Sequence, residues 1–316
     1  SDVYKRQGWC LADYNTHREF GSGDRICYHG VMDLFRNPKL SAAVYASQKT
    51  PRAPSDIVLE VSSAMALGDL PGGVPGACWV FTNAESVRLY RGNDFVAEFA
   101  PDRRGRFAAL PHPPIEINDF VGSLLEKYEG MDHASALQVA AILNELRRDA
   151  MEPSPLSRAR MLSLRLGWND VLRMYYKYIG VLGSPAAEYR FEAVWHGRAV
   201  RTVVREPVQS VRLECVVHNP ILTDGPTWDC AAVSLRAIDQ NGNLLPYCGE
   251  AVQLSVEGPV KILGPAIVPL RGGMAGTYLA TTGEAGRAVL HCRMEGALDV
   301  EAALTVRKRS GAENAN

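Results

Sequence analysis

Within residues 8–48 an indole (Trp9), a carboxylate (Asp13), an amide (Asn15) and an imidazole (His17) follow at short intervals, with Asp24, Arg25 and His29 soon after. Such a set offers a flat apolar face on the indole beside side chains that donate and accept hydrogen bonds. The competing reading of Trp9 is a core tryptophan. For Asp13, Asn15 and His17 it is the organisation of a loop. Asp24 and Arg25 read as an ion pair or loop clamp, and His29 is the remaining candidate. Asp13, Glu19, Asp24 and Asp33 also offer carboxyl groups for acid–base work.

These residues need elements to position them. Residues 8–14 predict a short apolar strand ending in an acid, a polar loop follows, and 37–48 predict a helix with Pro38 in its first turn. A single strand and helix cannot bury both their faces, so the unit 8–50 belongs to something larger. Residues 51–55 (PRAPS) resemble a linker, after which apolar residues recur at every second position: Ile57, Leu59 and Val61, then Val87 and Leu89. Residues 91–94 predict a hairpin turn between strands 86–90 and 95–99.

From 119 to 183 the period turns helical, with Val139, Ile142, Leu143 and Leu146 on one face, Asp132 as an N-cap, Ser154-Pro155 opening another helix and Gly180 ending the last. Strands are predicted again at 189–195, 199–204 and 211–217, with a turn at His196-Gly197. The reading is one β-sandwich, 55–118 and 186–220, interrupted by a helical insertion at 119–183. A second sandwich of immunoglobulin-like type is expected over 226–308, with a tight hairpin turn at 240–243 and strands at 252–256, 276–280, 288–293 and 300–306. Residues 1–7 (SDVYKRQ) read as a junction segment and 309–316 as a disordered tail.

The 316 residues exceed what one hydrophobic core usually serves, and 47% hydrophobic with 22% charged residues places the chain among ordinary globular proteins. A formal net charge of −1 gives no broad attraction for nucleic acid or anionic lipid. No apolar run approaches the roughly 20 residues that span a bilayer. The 7 cysteines (10, 27, 78, 215, 230, 248, 292) form no CxxC pair, so neither a disulfide framework nor a zinc ribbon is indicated, and each reads as a small buried hydrophobe. A reducing compartment, the cytoplasm, fits that usage. No cofactor and no metal site is expected.

The joint pattern Trp9, Ala12, Asp13, Tyr14, then Gly30, Val31, Arg36, Pro38, Lys39, Ala42 and Ala43 resembles the last strand and last helix of the (β/α)8 barrel in glycoside hydrolase family 2, the β-galactosidase and β-glucuronidase type. Residues 79–93 (WVFTNAESVRLYRGN) resemble a strand-and-hairpin segment of a sandwich domain appended after that barrel. The resemblance implies a mainly β chain with a helical insertion, in which the last βα unit of a barrel is followed by two immunoglobulin-like β-sandwich domains. It implies that Trp9 precedes a cis peptide and floors a sugar subsite, with Asp13, Asn15, His17 and His29 as further substrate-binding candidates.

The family's two carboxylates lie after barrel strands four and seven, both upstream of Gly8. The resemblance therefore implies no catalytic residue in this chain and no activity of the chain by itself. Glucuronide-processing members carry Asn-x-Lys before the glycine matching Gly30; here the segment is Cys27-Tyr28-His29, which favours a neutral β-linked sugar such as a galactoside. The implied partners are a carbohydrate substrate and further copies of the chain through the sandwiches. A reading from another class is a non-catalytic carbohydrate-binding or adhesion protein, with Trp79, Tyr90, Trp195 and Trp228 lining a glycan groove.

Overall fold

A computed structural model describes residues 8–17, 19, 23–65, 77–148, 151–180 and 186–309. The expected junction segment 1–7 and tail residues 310–316 lie outside them. The fold is mainly β with a smaller helical part. It divides into two compact units, one of residues 42–207 and one joining the amino-terminal residues up to 41 with those from 208 onward.

In the unit 42–207, strands Leu59–Val61, Cys78–Thr82 and Ile115–Ile117 form one antiparallel sheet. Asp94–Phe99, Ser86–Arg91, Tyr189–Trp195 and Arg198–Arg205 form another, in that order. Both hairpin turns are built where positive φ is available: Gly92 at 57°, and His196 and Gly197 at 50° and 72°. Between Ile115–Ile117 and Tyr189–Trp195 come helices Leu124–Glu129, His133–Arg148, Pro155–Ser163 and Trp168–Tyr178. Asp132 caps the second by accepting the Ser135 amide at 3.0 Å, and Ser154 caps the third through the Ser157 amide at 3.2 Å.

The strand after these helices returns beside Ser86–Arg91, so they interrupt a sheet. They do not merely hang from it, because Val139, Ile142, Leu143, Val171 and Met174 join Leu59, Val80, Leu89 and Phe191 in one core. The linker-like stretch is pinned rather than loose. The buried Asn83 amide accepts from the Val58 N–H at 2.8 Å and donates to the carbonyls of Lys49 and Asp56.

In the other unit, Arg212–Val217, Cys230–Ile238, Met274–Thr281 and Val260–Leu263 form one antiparallel sheet. Ile221–Asp224, Val300–Lys308, Gly286–Met294, Ala251–Glu257 and Ile267–Pro269 form the second, where the first pair is parallel. The strand Arg212–Val217 thus leaves the sheet in which it was expected and pairs with Cys230–Ile238. Its Leu213 buries into this core, beside Val233, Leu254, Leu290 and Leu304 from both sheets. Alternation along Ala251–Glu257, with Val252 and Leu254 buried and their neighbours exposed, is what one covered face requires.

The 240–243 turn is held by Asp239, whose buried carboxylate accepts the Asn241 and Asn243 amides at 2.8 Å each. It does not lead into a hairpin. After a single bridge, Ile238 to Leu244, the chain crosses to the other sheet.

Candidate functional site

The amino-terminal segment of this second unit is mostly extended, but little of it is regular strand. Tyr14–Asn15 pairs with Ile26–Cys27, and Ala12 makes a parallel bridge to Met32. Strand 8–14 therefore shortens to two contact points, tied by backbone bonds from Asp13 N to Met32 O (2.9 Å), Met32 N to Leu11 O (3.0 Å) and Val31 N to Cys10 O (3.1 Å). The helix runs over Leu40–Ala46, shorter than expected. Pro38 sits before it, bridging back to Met32 in extended form.

Asp13 is the buried centre of this segment. Its Oδ1 accepts the Gly30 amide at 2.9 Å and the Lys39 ammonium at 2.6 Å, and its side chain is 2% exposed. Lys39 also donates to the Tyr28 carbonyl at 3.3 Å. The carboxylate is thus committed to holding the chain at 28–30 against 12–13, which is the loop-organising reading of Asp13. Gly30 is required there because a Cβ would meet Asp13 N at 2.2 Å and Ala12 C at 2.3 Å. In the sequence Lys39 and Gly30 stand only as places in a pattern. Their link to Asp13 has no local signal, since Lys39 lies 26 positions away.

The other candidates stay at the surface. Trp9 is 76% exposed, and its ring meets Tyr14 edge-on at 6.5 Å. The Trp9–Cys10 peptide is cis, at the position where the resemblance puts one. Asn15 and His29 are exposed, and the His29 carbonyl accepts the Cys10 amide at 3.4 Å, which sets residue 29 beside the Trp9 segment. His17 is exposed, with Nδ1 accepting the Glu19 amide at 3.2 Å.

Asp24, expected to pair with Arg25, forms an ion pair with Arg271. The Asp24 carboxylate accepts from Arg271, from the Tyr28 hydroxyl and from the Ile26 amide, and Arg271 donates to Tyr28 Oη at 2.6 Å. Burial, with the hydrogen bond to Asp24, pushes the Tyr28 phenol above its ordinary pKa. Arg25 contributes backbone: its φ is 59°, and its carbonyl accepts the Thr16 amide at 2.8 Å. A partner 247 positions away could not be read from the sequence.

Farther along, Asp33 accepts the amides of Phe35 and Asn37 and the Asn37 side chain, all at 2.8 Å. Asn37 donates on to Ala275 O at 2.9 Å, and the Phe35 ring meets Tyr278 at 5.6 Å. Gly276 leaves room for Phe35, since a Cβ would lie 2.3 Å from its Cγ. Asp13, Tyr28, Lys39, Phe35, Arg271 and Met274 line part of a cavity of about 550 Å³ in this unit.

Of the acids that offered acid–base chemistry, Asp13, Asp24 and Asp33 are each engaged in local structure. Among the described residues no group of three or more His, Cys, Asp or Glu is placed to hold a metal ion. No described helix is long and apolar enough to cross a membrane. Three of the aromatics considered for a glycan groove have ring partners: Trp79 with Phe107, Tyr90 with Phe95 and Trp195 with His196. Trp228 is 61% exposed.

No protein-family model matches the chain. It is 31% identical to a β-galactosidase of Thermoanaerobacterium thermosulfurigenes over 84% of its own length, and it spans 30% of the length of that relative. Among solved structures it resembles a β-glycosidase from Bacteroides vulgatus (TM-score 0.55, 11% identity, 89% of this chain and 28% of the other). It also resembles a β-glucuronidase from glycoside hydrolase family 2 (TM-score 0.51, 13% identity, 90% of this chain and 23% of the other). The structural likenesses speak for the fold and the sequence likeness for descent. Together they place the chain in glycoside hydrolase family 2.

Proposed function

We propose that the chain supplies one wall of the sugar site of a retaining β-glycosidase, with a β-galactoside as substrate, and that it holds neither catalytic carboxylate. Residues 8–50 then stand as the last βα unit of a barrel, with the sandwiches behind it. The observation that carries this reading is the contrast between Trp9 and Asp13. The indole stands 76% exposed for stacking on a sugar face, while the nearest acid is locked by Lys39 and Gly30.

Retaining hydrolysis needs two carboxyl groups about 5–5.5 Å apart, one free to attack and one free to exchange a proton. Asp13, Asp24 and Asp33 are spoken for by cations and amides, which supports their exclusion from that pair. In this reading Trp9, Asn15, His17 and His29 face the sugar, and Asp13, with Asp24 and Arg271, shapes the loop that carries them. A uronic acid is disfavoured because the two cations that contact Tyr28, Lys39 and Arg271, are already paired with Asp13 and Asp24. The name of the Thermoanaerobacterium relative agrees with a galactoside.

Two measurements test the proposal. The chain is expected to release no aryl group from an aryl β-galactoside above the uncatalysed rate; turnover that Asp13→Asn abolishes would show that the acids are here after all. Sequencing the DNA upstream of Gly8 is expected to reveal a continuous frame with further βα units and two strand-end glutamates. A stop codon or an unrelated β domain there overturns it.

A further inference from the structure

Cys215 and Cys292 belong to opposite sheets of the carboxy-terminal sandwich. Cys215 is on the strand Arg212–Val217 and Cys292 is on Gly286–Met294. Their sulfurs lie 3.7 Å apart across the core, with the Cys292 thiol donating to the Cys215 sulfur. The two are 77 positions apart, so no spacing rule in the sequence pairs them.

We propose that this pair is a modification site for small disulfides, which convert it to a disulfide stapling the two sheets. Cys292 is buried and lies in a strand paired on both sides, whereas Cys215 is partly accessible and lies in an edge strand of its sheet, paired on one side. That asymmetry fixes the order of events. Cys215 loses its proton and attacks a low-molecular-weight disulfide; a mixed disulfide forms on Cys215 and one small thiolate leaves, taking that proton. Cys292 then loses its proton and attacks the Cys215 sulfur, the protein disulfide forms, and the second small thiol leaves with the second proton. Two protein thiols are oxidised and one small disulfide is reduced to two thiols.

Closing the gap to the roughly 2.05 Å of an S–S bond needs a shift of under about 2 Å. A strand hydrogen-bonded along one edge can make that shift without breaking a second ladder. The hydrogen bond from Cys292 lowers the pKa of the Cys215 thiol against the opposing effect of burial, in keeping with Cys215 attacking first. Cys248 and Cys78 are poorer nucleophiles. Burial, with the Glu250 carboxylate beside it, pushes Cys248 up to about 11, and burial pushes Cys78 up to about 11.

The test is incubation of the chain with excess oxidised glutathione near neutral pH, followed by alkylation, proteolysis and mass spectrometry. The expected product is a crosslinked Cys215–Cys292 peptide, reversed by dithiothreitol, with the midpoint of thermal unfolding raised by roughly 10 °C. Cys292→Ala is expected to stop at the glutathione adduct on Cys215, and Cys215→Ser to leave Cys292 unmodified. Absence of the crosslinked peptide from the unmutated chain, while other thiols carry glutathione, overturns the site. Equal labelling of Cys292 in Cys215→Ser overturns the order of attack.

Discussion

The Lys39 ammonium lies 2.6 Å from the Asp13 carboxylate, on the same oxygen that takes the Gly30 amide hydrogen. One buried charge therefore ties the helix entrance, the end of the first extended segment and the glycine turn together.

Removing the cation should cost more than removing the acid's charge. Lys39→Met leaves a carboxylate 2% exposed without its counter-ion, a loss of about 3 kcal/mol. Asp13→Asn keeps an oxygen for the Gly30 amide and loses the burial penalty as well, so about 1–2 kcal/mol is expected. Urea unfolding of the two variants checks the ranking. Equal midpoints for Lys39→Met and the unmutated chain would mean that the pair holds nothing.

Gly30→Ala has no flexible side chain to push aside, because the new methyl would meet backbone atoms of Ala12, Asp13 and Met32 within 2.5 Å. A destabilisation of about 3 kcal/mol is expected. Gly249→Ala meets nothing within 4 Å and should stay within about 0.5 kcal/mol. Denaturation midpoints separate them, and indistinguishable values would show that the 12–13 to 30 contact yields easily.

What could be read ahead of the structure was what local periodicity and turn chemistry encode. Strand Tyr189–Trp195, the caps Asp132 and Ser154 and the Gly92 turn are all specified within a few residues of themselves. Partner choice was not legible. Arg212–Val217 has the right alternation for either sheet, and only long-range packing of Leu213 decides. Trp9 could be named only through the resemblance that its surrounding pattern carries. Arg271 could not, because its role exists only once Asp24 arrives beside it.

Arg271 should order the loop it grips. Without its guanidinium, the Asp24 carboxylate and Tyr28 hydroxyl lose their shared donor. Arg271→Leu is expected to speed hydrogen exchange of the amides at 24–30 by tenfold or more, which is about 1.4 kcal/mol of local stability, while Cys230–Ile238 is unchanged. Arg271→Lys should recover part of the protection, since a point charge replaces a planar donor. Unaltered exchange at Ile26 and Tyr28 in Arg271→Leu would remove the clamp from consideration.

Glu129 gives the helical part an acid-sensitive joint. Its carboxylate takes hydrogen bonds from Lys177 and Tyr178 at 2.7 Å each and from Arg173 at 3.3 Å, joining Leu124–Glu129 to Trp168–Tyr178. The bond from Lys177, against burial and with help from Tyr178 and Arg173, holds its pKa below the ordinary 4.5. A carboxyl group more acidic folded than unfolded binds fewer protons in the native state. Its contribution is therefore complete above about 4.5 and is lost as pH falls through the lower folded-state value. Glu129→Gln should destabilise the chain by about 1 kcal/mol at neutral pH. That gap should close as the pH is lowered past 4.5, because the unmutated chain then gives up the same charge. Thermal melts of both proteins from neutrality down to where the gap stops changing below 4.5 measure it directly, and a pH-independent difference would assign Glu129 to packing rather than to charge.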